Sequence, residues 1–470
     1  MTYRADLDAV LSHVDTGLDQ SLERLFALMR IRSISTDPAY AGECQRAADW
    51  LVAELCALGF SAMAHATPGH PIVVAHGPEQ AGPHVLFYAH YDVQPVDPVD
   101  LWHTDPFEPA LRPGPDGRQV IVGRGASDDK GQLLTFIEAC RAWINAGGGL
   151  PIRVSLILEG EEEAGGANLP VFLEARGDEL GVADIALVCD TAMWDRTTPA
   201  ITTMLRGIVS DEVTIACADR DLHSGMFGNA ARNPNQVLAE IIASLRADDG
   251  SVAITGFYDQ VADLAPETRA EWAALGFEPE AFLARVGLSQ PAGERDRPVL
   301  ETLWARPTCD INGMTGGYVG EGFKTVIPSA ASAKISFRLV AGQRPERIRT
   351  AFRRHVMARV PSDCTVRFQS HGATPAVSVP SDSPMLLRAR DALAREWGRP
   401  AVGIGSGGSI PVVSDFKRLL DLDALLIGFA QVDDQVHSPN EKYDLESYHR
   451  GIRSWVRILA ALAEEAPSTA

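Results

Sequence analysis

The sequence of 470 residues has few cysteines, no long apolar run and no excess of basic residues. No run approaches the roughly 18 apolar residues of a transmembrane helix, so none is expected. The seven cysteines are odd in number and lack CxxC spacing, which favours reduced thiols over a disulfide framework or a cysteine metal site. Lys and Arg total 42 against 62 for Asp and Glu, and the net charge of −20 disfavours nucleic-acid and anionic-membrane partners.

The remaining composition is that of an ordinary globular protein. Hydrophobic residues make up 46% and charged residues 22% of the chain, enough for a large core. At about 150 residues per domain, the length suggests two or three domains. The segment Met1–Asp6 lacks the apolar stretch of a secretory signal, so we expect a cytoplasmic protein.

Helical and strand patterns alternate through the first part of the chain. Segments with apolar residues at helical spacing are followed by short apolar runs, and each of these runs has turn residues at both ends. This alternation predicts an α/β fold with a mostly parallel mixed sheet. The predicted helices are Ser21–Met29, Cys44–Leu58 and Lys130–Asn145, and the predicted strands are Ile72–Ala75, Val85–Ala89, Gln119–Val122, Ile152–Leu158 and Ala183–Cys189.

A different pattern begins near residue 205. The run Ala333–Val340 alternates apolar with polar residues, which indicates a sheet with one open face. The α/β pattern resumes after about residue 378, so we predict a first domain of residues 1–204 and 378–470 with an inserted α+β domain of residues 205–377. The other predicted elements are strands Val209–Cys217 and Ala424–Phe429 and helices Pro234–Arg246, Gln343–Val360, Pro384–Trp397 and Tyr448–Ala463.

Ionisable residues follow the predicted strands of the first domain. In open α/β sheets the functional crevice lies beyond the carboxyl ends of the strands. Carboxylates gathered there repel one another unless cations neutralise them, so the pattern predicts a metal centre. The residues that follow strands, directly or after a loop, are His90, Asp92, Asp128, Glu159–Glu163, Asp190 and His437.

These residues offer nitrogen and oxygen ligands without sulfur, a set that suits Zn²⁺, Co²⁺ or Mn²⁺. Two ions would balance the acids better than one, and paired ions recur in hydrolases. Asp92 can orient His90, and of the adjacent Glu162 and Glu163 one can bind metal while the other acts as general base. Singly, each residue has an ordinary alternative, such as a core histidine, a solvated acidic run or a helix cap.

At these positions the sequence resembles the M20 metallopeptidases, a family that includes carnosinases, cytosolic dipeptidases and acetylornithine deacetylase. The chain resembles the carnosinase and cytosolic dipeptidase branch in particular. The segments that carry the family resemblance are His90–Pro95, Gly123–Gly131, Glu159–Gly165, Asp190 and His437–Ser438, and those that carry the branch are Asp221–Gly225, Lys324–Pro328 and Gly407–Pro411.

The resemblance implies a zinc-peptidase-like catalytic domain with two divalent metal ions, zinc in the first place and manganese or cobalt as alternatives. It implies that His90 and Asp190 hold one ion, that Glu163 and His437 hold the other, and that Asp128 bridges both. It further implies a cis peptide bond after Asp128.

The resemblance also implies the remaining roles. Glu162 would be the general base and Asp92 would orient His90. The inserted domain would be a lid and dimerisation domain, and its His223 would stabilise the oxyanion in the active site of a partner subunit, which implies a homodimer. Arg338 matches an arginine that holds the substrate carboxylate. Further implied substrate contacts are Thr325, His371, Gly408 and Ser409.

The implied activity is metal-dependent hydrolysis of small peptides that have a free C-terminal carboxylate. One position departs from the branch, because Ser406 stands where cytosolic dipeptidases have an acid that meets the free amino group. An N-acyl amino acid deacylase or desuccinylase on the same scaffold therefore stays open as an alternative. A non-catalytic relative that binds a small carboxylate is a second alternative. Residues 255–307 have no predicted function.

Overall fold

The computed structural model describes residues 6–408 and 410–464. These residues divide into two compact units. Unit 1 falls within Met1–Thr203, Val379–Ile404 and Pro411–Ala470, and unit 2 falls within Met204–Ser378 and Gly405–Ile410.

The helices coincide with segments of apolar periodicity, and proline in the first turn or glycine after the last turn marks several of their ends. Their bounds are α1 Leu7–Thr16, α2 Leu18–Met29, α3 Ala41–Ala57, α4 Lys130–Ala146, α5 Leu169–Ala175, α6 Gly177–Leu180, α7 Ser224–Phe227, α8 Pro234–Ala243, α9 Pro266–Ala273, α10 Pro279–Ala284, α11 Val299–Trp304, α12 Pro345–Met357, α13 Pro384–Trp397, α14 Pro411–Leu420 and α15 Leu445–Ala463. Pro345 and Pro384 occupy first-turn positions, where a missing N–H removes no helical hydrogen bond. Gly398 ends α13 in the left-handed conformation, with φ of 69°.

The strands coincide with the short apolar or alternating runs. Their bounds are β1 Ser61–His65, β2 Ile72–His76, β3 His84–His90, β4 Ala110–Pro113, β5 Gln119–Val122, β6 Arg153–Glu159, β7 Ile185–Val188, β8 Ala200–Leu205, β9 Gly207–Ala216, β10 Leu222–His223, β11 Thr308–Gly316, β12 Val326–Ile327, β13 Ala330–Leu339, β14 Thr365–Thr374, β15 Val377–Ser378, β16 Val402–Ser406, β17 Ala424–Leu426 and β18 Lys442–Asp444. The run predicted over Ala424–Phe429 is a strand only in its first three residues.

The main sheet of unit 1 has the order β1-β2-β6-β3-β7-β17-β8. The inner strands β6, β3, β7 and β17 run parallel, whereas β1, β2 and β8 pair antiparallel with their neighbours. Every residue of β3 is buried, as in a strand whose two faces are both covered. The predicted α/β fold with a mixed sheet is therefore confirmed.

Aromatic side chains pack β3 against two long helices. The Phe87 ring of β3 stacks on Phe136 of α4 with centroids 3.8 Å apart, and Trp455 of α15 meets Phe136 edge-on at 5.3 Å. The Trp455 Nε1–H donates to the hydroxyl of Thr135, 3.1 Å away, so its polar group is satisfied inside the core. This packing fixes the strand that ends at His90.

The strand Gln119–Val122 has partners that the sequence pattern did not indicate. It pairs antiparallel with β4 and with β18 in a separate three-stranded sheet and does not belong to the main sheet. An apolar run reveals a strand but not a partner that lies far along the chain. Asp128 therefore extends from a loop of this small sheet, not from the carboxyl end of a main-sheet strand.

Unit 2 contains a four-stranded antiparallel sheet in the order β11-β13-β9-β14. Along β13 the side chains of Ile335 and Phe337 are buried while Lys334 is exposed, which confirms the predicted one-sided alternation. Ile241 of α8 and Phe352 of α12 belong to the same buried cluster, so these helices cover the apolar face.

Residues 255–307 carry α9, α10 and α11 within unit 2. Part of this segment, including Arg306, lines a cavity of about 670 Å³ together with Arg206 and Arg246. Within the described residues, none of the helices combines the length and the apolar character needed to cross a bilayer.

Candidate metal centre

His90 ends β3 and is almost fully buried, with 1% of its surface exposed. Its Nδ1 atom lies 3.1 Å from the backbone oxygen of Asp92 and 3.4 Å from the Oδ1 atom of the same residue. Its Nε2 atom lies 3.0 Å from Oδ1 of Asp128. One ring nitrogen is thus fixed by Asp92, and the other faces the carboxylates of the site.

The structure brings the predicted ligands together in one place. Oδ2 of Asp128 lies 2.9 Å from Nε2 of His437, and that nitrogen lies 3.3 Å from Oε2 of Glu163. On the other side, Nε2 of His90 lies 4.0 Å from Oδ2 of Asp190. Ligand atoms of His90, Asp128 and Glu163 all lie within 4.8 Å of one another, so these three residues could hold one metal ion.

The donor atoms suit divalent cations for a physical reason beyond their proximity. The Oε1 atom of Glu163 is buried and has no hydrogen-bond partner among the described residues. A buried carboxylate oxygen without a partner is destabilising, and a cation would satisfy it. Two imidazoles and three carboxylates without sulfur are a set that zinc, cobalt or manganese accepts.

Asp92 does more than orient His90. Its Oδ1 atom accepts the backbone N–H of Glu162 at 3.3 Å, and its Oδ2 atom accepts that of Glu163 at 3.0 Å. These bonds fix the 3-10 turn Glu162–Ala164, which follows β6. One fully buried carboxylate therefore sets the position of a histidine and of two glutamates.

The histidines and carboxylates of the site shift each other's pKa. Burial opposes protonation of His90, yet hydrogen bonds to Asp128 and Asp92 raise its pKa well above the usual value. Hydrogen bonds to Asp128 and Glu163 raise the pKa of His437 to about 10. The same contacts outweigh the burial of Asp128 and lower the pKa of that carboxyl. The site therefore favours positive charge opposite Asp128.

The pKa values of Glu162 and Asp190 are raised, in the direction opposite to the shift of Asp128. Burial raises the pKa of Glu162, and the neighbouring carboxylate of Glu163 adds to the shift while His90 opposes it. Burial likewise raises the pKa of Asp190 well above its usual value, with Asp128 and Glu162 contributing. A half-buried carboxyl with a raised pKa is suited to accept and return a proton.

Two residues of the site were assigned no role from the sequence. Gln94 donates its Nε2–H to Oε2 of Glu163 at 2.7 Å, and Glu441 accepts the backbone N–H of Asp128 at 3.0 Å. Gln94 lies within the segment that carries the family resemblance, and Glu441 follows His437 by four positions, but neither spacing reveals a contact. The peptide bond between Asp128 and Asp129 is cis, as the resemblance implies.

His223 and Thr325 lie side by side in unit 2. His223 pairs with Val326 across β10 and β12, and the Ser224 N–H donates to the backbone oxygen of Thr325 at 3.1 Å. His223 is exposed, and its Nδ1 atom accepts the N–H of Gly225 at 3.0 Å. Because Nδ1 accepts this bond, a neutral imidazole carries its proton on Nε2.

The other predicted substrate residues of unit 2 lie on its sheet and on the segment Gly405–Ile410. Arg338 is a half-buried residue of β13, on the polar side of the alternation. His371 is exposed and lies at a register shift of β14, where a bulge changes the direction of a side chain. The Gly408 N–H donates to Oγ of Ser406 at 3.1 Å. Ser409 lies outside the described residues.

The sequence profile of peptidase family M20/M25/M40 matches residues 86–461, which span every predicted metal ligand. The chain belongs to this family. It is accordingly a peptidase, and the metallopeptidase resemblance drawn from the sequence is confirmed.

Relatives of this M20 peptidase cover nearly its whole length. A Cys-Gly metallodipeptidase of Schizosaccharomyces pombe is 30% identical over 480 residues, which cover 99% of this chain and 100% of that protein. The Beta-Ala-His dipeptidase of Homo sapiens is 30% identical over 404 residues, which cover 84% of this chain and 78% of that protein. A solved M20 metallo-carboxypeptidase of Sulfolobus solfataricus is 29% identical with a TM-score of 0.78, covering 95% and 99% of the two chains.

Proposed function

We propose that this M20 peptidase hydrolyses the peptide bond of dipeptides and other small peptides with a free C-terminal carboxylate, using two divalent metal ions. The observation that carries the proposal is the run of contacts from His90 through Asp128 and His437 to Glu163, each between 2.9 and 3.3 Å. Glu162 lies in the same turn as Glu163 but is not needed as a ligand. The relatives named above act on Cys-Gly and on Beta-Ala-His.

In this proposal His90 and Asp190 would hold one ion, Glu163 and His437 would hold the other, and Asp128 would serve as a ligand of both. Zinc is the proposed metal, with manganese and cobalt as alternatives of the same ligand preference. When bound, the two cations would lower the pKa of the attacking water and polarise the scissile carbonyl. About half of the His437 side chain is exposed, at 52%, which leaves the centre open to a substrate on that side.

The protein's own groups would move the proton. Glu162 would take a proton from the water and pass it to the leaving amine, which suits a carboxyl whose pKa is raised by burial. Asp92 would keep this turn in place through its two accepted N–H bonds. Gln94 would hold the Glu163 carboxylate in the orientation for binding through its hydrogen bond to Oε2.

We further propose that residues 205–377 form a lid and dimerisation domain and that the protein is a homodimer. The exposed His223 would stabilise the oxyanion in the partner's site, and Arg338 would bind the substrate carboxylate as a planar fork. Thr325, His371, Gly408 and Ser409 would complete the substrate contacts. A cytoplasmic location stays a prediction from the sequence.

A second candidate function is supported by Ser406. Its hydroxyl accepts the Gly408 N–H in a local turn, so this position offers no charge to a free ammonium group. Hydrolysis of N-acyl amino acids on the same centre would need no such charge. The substrate preference therefore distinguishes the two functions.

The deciding experiment removes metal with a chelator, restores Zn²⁺, Co²⁺ or Mn²⁺, and assays a substrate panel. We expect an inactive apoprotein and full recovery at two ions per chain, measured by elemental analysis. Dipeptides should be cleaved faster than the N-acetyl and N-succinyl derivatives of the same amino acids. The reverse preference would select the deacylase, and hydrolysis of neither class by the metal-loaded protein would contradict both proposals.

A further inference from the structure

Glu441 is a fully buried carboxylate that accepts hydrogen bonds from one loop at four points. Its Oε1 atom accepts the backbone N–H groups of Ser127 and Asp128, at 2.8 and 3.0 Å. Its Oε2 atom accepts the N–H of Gly125 at 3.0 Å and Nη1–H of the buried Arg124 at 2.8 Å. The four donors belong to Asp128, the residue proposed to bridge the metals, and to three residues shortly before it in the chain.

The segment that carries His437 is tied to the same loop a second time. Oδ2 of Asp434 accepts the hydroxyl of Ser127 at 2.8 Å, and the amide of Lys442 donates to the backbone oxygen of Asp434 at 3.0 Å. His437 has a left-handed backbone, with φ of 60°, which a residue other than glycine adopts only where its surroundings hold it. Glu441 ends this segment.

We propose that Glu441 is a positioning residue that sets the distance between the Asp128 carboxylate and the His437 imidazole. The inference rests on the proposed metal centre and deepens it. Glu441 fixes the backbone of Asp128 directly, and it lies four positions after His437 on the segment that delivers that imidazole. The two side chains meet at 2.9 Å, so a shift of either segment would change the geometry offered to a cation.

Two substitutions test this role. Glu441→Gln keeps the size but replaces one accepting oxygen with an NH₂ group that faces donors, and Glu441→Asp keeps the charge but is too short to reach all of them. We expect the affinity of the apoprotein for Zn²⁺ to fall by about 10- to 100-fold, the range found when partners of metal ligands are changed. In the metal-loaded enzyme kcat should fall while KM for a dipeptide changes little.

Cobalt provides a readout that fold stability alone would not move. The visible absorption spectrum of the Co²⁺-loaded protein reports the ligand geometry, and we expect it to change in both variants. Asp433→Asn is the matched control, because that carboxylate lies next to Asp434 and binds Lys442 but is half exposed. It should leave both the Zn²⁺ affinity and the Co²⁺ spectrum unchanged.

Unchanged Zn²⁺ affinity and an unchanged Co²⁺ spectrum in a folded Glu441 variant would overturn the proposal. If the Gln variant does not fold, the Asp variant is measured alone, and failure of both to fold also counts against a positioning role. The unaltered protein is titrated in the same series. Absence of Zn²⁺ binding there would count against the proposed metal centre itself, whereas equal binding by variant and unaltered protein counts only against Glu441.

A separate observation concerns two thiols of unit 2. Ala216 of β9 pairs with Thr365 of β14, and the next residues outward are Cys217 and Cys364, whose sulfur atoms lie 2.8 Å apart. The Cys217 N–H donates to Ser329 and the Cys364 N–H to Pro361, so neither bonds across the pair. At such non-hydrogen-bonded positions Cα atoms are about 4.5 Å apart, within the range a disulfide spans.

We infer that Cys217 and Cys364 form an intramolecular disulfide on reaction with a small-molecule disulfide such as oxidised glutathione. One protein thiolate attacks the reagent, forms a mixed disulfide and releases one glutathione thiolate, and the second protein thiolate then attacks the mixed disulfide, closes the protein disulfide and releases the other glutathione thiolate. The two released thiolates take up the two protons that the protein thiols lost. The two protein thiols are oxidised, and the reagent is reduced to two thiols. Both cysteines are half-buried, so the reagent can reach them.

The test treats the full chain with oxidised glutathione, blocks the remaining thiols and measures peptide masses. We expect the Cys217 and Cys364 peptides to be joined with the loss of two hydrogens, and a higher Tm that a reductant reverses. Cys217→Ser and Cys364→Ser should abolish the crosslink, and Cys309, also half-buried, should stay a thiol. Two stable glutathione adducts, or unmodified thiols, would overturn the inference.

Discussion

The pKa values of two buried histidines, one in each unit, are shifted in opposite directions by their surroundings. In unit 1, burial opposes protonation of His90, but the carboxylates of Asp128 and Asp92 outweigh it and raise the pKa. In unit 2, burial lowers the pKa of His355, whose ring shares a hydrogen bond of 2.8 Å with Ser244. Burial by itself yields a neutral core histidine, and only convergent carboxylates turn it into a candidate ligand.

The two units differ in the same way in how they hold their candidate functional residues. The residues of unit 1 are fixed by bonds from several segments, such as those of Asp92 to Glu162 and Glu163. The imidazole of the exposed His223 of unit 2 instead accepts a local hydrogen bond from the N–H of Gly225. We therefore expect substitutions in unit 1 to act on metal binding and turnover. In unit 2 we expect substitution of Arg338 to act on substrate binding and substitution of His223 to act on turnover in a partner's site.

The largest expected effect is that of Glu162→Gln in unit 1. Loss of the proposed general base should lower kcat by about 10²- to 10⁴-fold, the range of general acid–base catalysis. Metal content should stay unchanged because Glu162 is not a proposed ligand. Both quantities are measured on the metal-loaded protein.

The exposed Glu174 supplies the matched control for that substitution, and Glu174→Gln should retain full activity. A metal-loaded Glu162→Gln variant with normal turnover would show that another group takes the proton. The role of general base would then have to be assigned to a different residue.

Arg338→Met in unit 2 should act mainly on KM. A hydrogen bond to a charged group contributes about 1.5–3 kcal/mol, which corresponds to a KM for dipeptides raised roughly 10- to 100-fold. Arg367→Met is the control, because Arg367 is exposed on strand β14 of the same sheet. A fall in kcat at constant KM would place Arg338 with the residues of the chemical step instead.

Mixing two inactive variants tests whether unit 2 serves a partner's site. A heterodimer of His223→Ala with Glu162→Gln has one site in which both groups are intact. Random re-pairing should restore about one quarter of the activity of the unaltered enzyme, as expected for a symmetric dimer. No recovery from a mixture shown to have exchanged subunits would mean that His223 does not act in the partner's site.

The smallest expected effect is the pH dependence of stability from His355. Its folded-state pKa is lowered by burial, with Arg359 contributing, so the unfolded chain takes up the proton first as the pH falls. Stability should be complete above the unfolded pKa of about 6.5 and should decrease below it. Thermal unfolding on both sides of that pH measures the loss.

His355→Gln should reduce the acid-induced fall in Tm, whereas His103→Gln, at an exposed position, should leave it unchanged. An equal fall in the His355 variant would assign the acid sensitivity to other groups, such as the buried His84 of unit 1. The pKa of His84 is likewise lowered by burial.

The helices and buried strands were predictable because their patterns are local. The run Val85–Ala89 and the alternation of Ala333–Val340 show burial residue by residue, and the structure has strands at both. The pairing of Gln119–Val122 with Lys442–Asp444 was not predictable, because neither run specifies its partner. The contacts of Gln94 and Glu441 were missed for the same reason.

The sequence by itself determined the types of side chain that could gather at a site and the resemblance that named their family. His90 and the acids Glu162 and Glu163 follow apolar runs, and this order can be read directly from the sequence. Only the tertiary structure decided which atoms meet, such as Oδ2 of Asp128 with Nε2 of His437. Local patterns encode burial and turns, whereas contacts between distant segments depend on the packing of the whole unit.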